Sequence, residues 1–110
     1  MLILFDHSTP FPLSSHLTGH TVVDAKTRGW ERLSNGELLA EAERAGFDIL
    51  LTADSNIAYQ QNLKERKIAL VVLTGNSWRL VQRVVRKIVV AVNAARPGSY
   101  TVVEVPIRQA

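Results

Sequence analysis

Short apolar runs that stop on an acid constrain this chain more than any other feature. Leu2–Phe5 is wholly apolar and ends at Asp6, and Phe47–Thr52 is mainly apolar and leads through Ala53 to Asp54. Runs this short, without polar alternation, describe strands buried on both faces, the condition of central strands in a parallel sheet. Ile68–Leu73 is the most β-like run of the chain. His20–Asp24 reads as a further strand, and Tyr100–Val105 alternates like an edge strand whose continuation Pro106 limits.

Helical signals separate these runs. Ser8-Thr9-Pro10 predicts a short helix carrying Phe11, Leu13 and Leu17 and closed by Gly19. Residues 26–32 show no period and read as a loop anchored by Trp30. Ser34-Asn35-Gly36-Glu37 fits a capping box, with Leu33 and Leu38 as its staple, ahead of a helix that Gly46 ends. Asp54 or Ser55 caps a short helix with Ile57, Tyr59 and Leu63, and Ser77 precedes the longest helix, Trp78 to Ala95. The β-α-β-α-β-α-β-α-β alternation predicts a mostly parallel sheet of about five strands between helical layers.

A chain of 110 residues accommodates one core, so a single domain over residues 1–110 is expected. The absence of cysteine excludes disulfide frameworks, thiol nucleophiles and cysteine-ligated zinc, and fits a cytoplasmic location. No basic leader precedes the first apolar run, which Asp6 stops far short of a membrane span, so no membrane partner is expected. A formal net charge of +3 is compatible with a polyanionic partner.

In a doubly wound sheet ligands bind beyond the carboxyl ends of the strands, so Asp6, Asp54 and Thr74 should share one edge. Two carboxylates there would repel unless a proton or cation lay between them. Mg²⁺ or Mn²⁺ with hard oxygen ligands is the natural mediator, and it could activate water for phosphodiester hydrolysis. Each aspartate also has an ordinary reading, as a strand end or a helix cap. Glu37 is the candidate third acid, although as the N3 residue of the capping box it would turn back to Ser34. Asn35 and Asn56 offer neutral oxygens, and His7 could contact a phosphate or a ligand water. On the long helix Arg79, Arg83, Arg86 and Lys87 fall at helical spacing and form one basic stripe, either a solvated face or a nucleic-acid contact.

Ile3-Leu4-Phe5-Asp6, Asn35-Gly36-Glu37-Leu38-Leu39 and Asp48-Ile49-Leu50-Leu51-Thr52-Ala53-Asp54 together resemble a compact bacterial PIN-like domain, in the branch related to VapC-type toxin nucleases. The similarity covers nearly the whole chain. It implies a three-layer α/β/α fold and acids gathered around Mg²⁺ or Mn²⁺ to cut RNA, with Asp6 as the first-strand acid and Asp54 as the acid of the Thr-x-Asp segment. The helix-start acid of that branch falls at or near Asn35, leaving Glu37 as a displaced substitute, and a later acid is replaced by Asn56.

Three functions follow as expectations. The first is a metal-dependent ribonuclease, the toxin of a toxin–antitoxin pair with an antitoxin protein as partner. The second is a non-catalytic PIN-like module that binds RNA or a protein. The third is a receiver-type phosphoacceptor with Asp54 as its acceptor, against which Asp6-His7 and Val105-Pro106 stand where a second acid and a lysine would be. Homodimerisation through apolar helix faces is a further expectation.

Overall fold

The computed structural model describes residues 1–54, 56–57 and 65–107. The expected strands form at Leu2–Phe5 (β1), Thr21–Asp24 (β2), Ile49–Thr52 (β3), Ala69–Leu73 (β4) and Tyr100–Val103 (β5). They make one all-parallel sheet in the order β2-β1-β3-β4-β5. β1, β3 and β4 are buried along almost their whole lengths, as their unbroken apolar runs require.

Successive residues on these strands enter different cores. Ile3, Phe5, Ile49 and Leu51 face one cluster, while Leu4 and Leu50 face the other. The first cluster is covered by Leu13 and Leu17 and by the helical segment after β4; the second by Leu38, Leu39 and Ala42 of the helix Asn35–Arg44 (α1). The chain is therefore a three-layer α/β/α domain.

α1 is built as its sequence signals dictate. Ser34 caps it, Glu37 closes the capping box, and Gly46 at φ 88° takes the left-handed turn that lets the chain re-enter the sheet. Trp30 packs edge-on against Phe47, and the Arg28 guanidinium lies over both rings at 5.3 and 5.4 Å.

Three helical predictions are corrected in detail. The first helix is a 3₁₀ segment, Phe11–His16, entered through Pro10 and Pro12, and the expected loop contains a 3₁₀ turn, Ala25–Arg28, capped by the Asp24 carboxylate. The long helix is interrupted: Trp78–Val81 (α2) and Val85–Asn93 (α3) flank the 3₁₀ turn Gln82–Val84. A 3₁₀ turn eclipses residues i and i+3, and this keeps both Val81 and Val84 on the buried side. The short helix expected after Asp54 lies outside the described residues except for Asn56, which is exposed, and Ile57, which is buried.

Candidate functional site at the carboxyl edge of the sheet

The chain leaves β1 toward β2 on one side and returns to β3 on the other, so the direction of winding reverses between β1 and β3. This reversal is the switch point where ligands of doubly wound sheets bind. Phe5 pairs with Leu51, which sets Asp6 beside Thr52 and Asp54 just beyond. The adjacency of the two strands that the acids follow, needed for any joint role, is thus present.

Asp6 is 5% exposed, and its carboxylate is enclosed by donors. Oδ1 accepts from the Ser8 backbone N–H at 3.1 Å, the Ser8 hydroxyl at 2.7 Å and the Thr9 hydroxyl at 2.9 Å. Oδ2 accepts from the Thr52 hydroxyl at 2.5 Å. Thr9 Oγ1 also lies 2.8 Å from the Leu51 carbonyl, so its single hydrogen is shared between two acceptors. Three of these bonds fall on Oδ1, which they saturate, and one on Oδ2, which keeps one lone pair for another ligand. No cation pairs with it among the described residues, and hydroxyl and amide dipoles compensate its charge.

The same hydroxyls tie Asp6 to the end of β3. Ser8 Oγ accepts from the Ala53 N–H at 3.0 Å, and Thr52 Oγ1 accepts from the Asp54 N–H at 3.0 Å. Asp54 is half-buried. Its Oδ1 accepts from the Asn56 N–H at 3.0 Å in an Asx turn, and its Oδ2 accepts from Asn35 Nδ2 at 3.3 Å. Asn35 thereby fastens the N-terminus of α1 to the sheet edge.

Glu37 stands apart from this network. Its Oε1 accepts from the Ser34 N–H at 2.9 Å, and Ser34 Oγ accepts from the Glu37 N–H at 3.3 Å. The Ser34 backbone amide, followed by its hydroxyl, holds the Glu37 carboxyl below its ordinary value of 4.5. The ten acids and three histidines of the chain are all described, and among the described residues no three of them gather into a group able to hold a metal ion. Asp54, with Asn35 beside it, offers the more open carboxylate for a hard cation that keeps its waters.

The remaining candidates are dispersed. His7 is exposed in the turn after Asp6, and Asn56 is exposed with its backbone on Asp54. Thr74 reaches the same edge, where its hydroxyl accepts from the Val105 N–H at 2.8 Å and extends the β4–β5 contact. Arg79, Arg83, Arg86 and Lys87 are all exposed, and none belongs to either ion pair among the described residues, Arg44–Glu41 and Arg66–Glu43. Arg79 lies on α2, Arg83 in the 3₁₀ turn Gln82–Val84, and Arg86 and Lys87 on α3, so the interruption breaks the continuous helical spacing expected of a single stripe.

Sequence reasoning missed Ser8, Thr9 and Thr52. Their signal was present: hydroxyl residues two and three positions after a strand-end aspartate satisfy its carboxylate locally. No family model matches the chain, and no curated protein or solved structure matches it.

Proposed function

We propose that this chain is a PIN-like module that binds single-stranded RNA along the row Arg79, Arg83, Arg86 and Lys87, with Asp6 and Asp54 shaping the adjoining sheet edge. The observation that carries this reading is the enclosure of the Asp6 carboxylate by Ser8, Thr9 and Thr52, which commits the first-strand acid to internal bonds. The exposed cations support RNA as partner, because none of the four belongs to an ion pair among the described residues, and phosphate contact with counterion release needs accessible positive charge. Oligonucleotide binding should weaken steeply with salt, and replacing Arg79, Arg83 and Arg86 by glutamine should flatten the log–log salt slope by about 2. Binding that ignores salt, or that survives the triple variant unchanged, contradicts the proposal.

Metal-dependent RNA cleavage is the second reading, favoured by the position of Asp54 at the switch point, where among the described residues its Oδ2 meets Asn35 alone, at 3.3 Å. Mn²⁺- or Mg²⁺-dependent cleavage that disappears in both Asp6→Asn and Asp54→Asn would establish it over the first. The phosphoacceptor reading has the strand order of flavodoxin-like and receiver domains in its favour. Order alone does not carry function, and no lysine follows Lys87 to stand near a phosphorylated Asp54.

A further inference from the structure

The outer edge of β5 is the most apolar exposed part of the strand layer. Tyr100 is 42% and Val102 45% exposed, and Val90 on the neighbouring α3 is 67% exposed. A groove of about 470 Å³ runs between α3 and this strand, lined by Lys87, Val90, Ala91 and Ala94 on one side and Thr101 to Glu104 on the other.

The backbone pattern says which groups face outward. Leu70 N–H donates to the Ser99 carbonyl and Thr74 N–H to the Val103 carbonyl, so the odd-numbered residues of β5 turn their polar groups toward β4. In a parallel pair alternate residues face opposite sides, which leaves the N–H and C=O of Tyr100 and Val102 pointing away from the sheet, with Glu104 the next residue of that alternation just past the strand. An edge with free backbone groups and apolar side chains is a template for strand pairing.

We infer that a second copy of this chain occupies the edge, its β5 running antiparallel to the first so that the two sheets become one. The outward residues are self-complementary about Val102. A two-fold axis there sets Val102 opposite Val102, where the two exchange N–H···O=C bonds, and sets Tyr100 opposite Glu104 at both ends. The charges fit the same register. Glu104 is exposed, the end of the facing strand that it meets is preceded by the exposed Arg96, and neither belongs to an ion pair among the described residues. On the other face the two α3 helices come side by side, and Val90 of each is covered by the α3 of the other copy.

Sedimentation velocity on the full chain from roughly 1 to 100 µM tests this assembly. The native chain should dimerise. Val102→Pro removes only an outward N–H and leaves the β4 ladder intact, and Val90→Glu places a charge at the helix joint of an exposed position. Each should raise the dimer dissociation constant about tenfold or more while circular dichroism stays native. Glu104→Arg should weaken the dimer, and Glu104→Arg combined with Arg96→Glu should restore it. A native chain that stays monomeric at the highest concentration overturns the inference. So does a dimer unmoved by Val90→Glu, whatever Val102→Pro does to folding.

Discussion

Thr52 is fully buried, and its hydroxyl serves two aspartates at once, donating to Asp6 Oδ2 and accepting from the Asp54 N–H. Thr52→Val keeps the shape and removes both bonds, leaving a buried carboxylate and an amide short of a partner. A bond to a charged group contributes about 1.5–3 kcal/mol, so the variant should lose about that much in urea denaturation, and Thr52→Ser should lose much less. Glu37 shows the opposite balance at the same scale: its carboxylate is satisfied within its own helix start, at the N-terminal end where the helix dipole also favours negative charge.

Glu43 operates at the scale of elements, because it joins the last turn of α1 to the segment entering β4. Its carboxylate accepts from Arg66 Nη1 at 2.6 Å and from the Lys67 N–H at 2.6 Å. Burial pushes the Glu43 pKa up, but the bonds from Arg66 and Lys67 outweigh it and leave the group below its ordinary 4.5. A group whose folded pKa is depressed contributes stability that is complete above its unfolded value and fades as pH falls through the folded one. The contribution of Glu43 should therefore be present at pH 7 and diminish below about 4.5. Glu43→Gln should lower the melting temperature at pH 7 and narrow the gap to the native chain near pH 3, as read by thermal scans at both values.

At the scale of the whole molecule, β3 is the hinge of the packing because both its faces are interior. Leu51 contributes to the core under α2 and α3, and Leu50 to the core under α1. Leu50→Ala and Leu51→Ala should each cost about 2–5 kcal/mol in denaturant titration. Because β3 lies beside β1 at the switch point, such losses also disturb the register that brings Asp6 to Thr52. The fold and the candidate site share one set of contacts.

Strands β1, β3 and β4 were legible in the sequence because burial on both faces demands unbroken apolar runs, and the start of α1 because Ser34 and Glu37 satisfy each other over three residues. The alternation of Tyr100 to Val105 likewise marked an edge strand, which forms over Tyr100–Val103. The 3₁₀ turns were not legible, since the tightening at Gln82–Val84 depends on which valines meet the sheet rather than on any local breaker. Most of the candidate site was local as well: Asp6 with Ser8 and Thr9, and Asp54 with Asn56, lie within three residues of each other. Only the tertiary structure decided that Asp6 meets Thr52 and that Asn35 meets Asp54, because those bonds follow from strand order and from where α1 lands. The two strand-end aspartates were fixed by hydrophobic pattern alone. Their placement at the ends of neighbouring strands was set by the pairing of β1 with β3, which no short-range signal encodes.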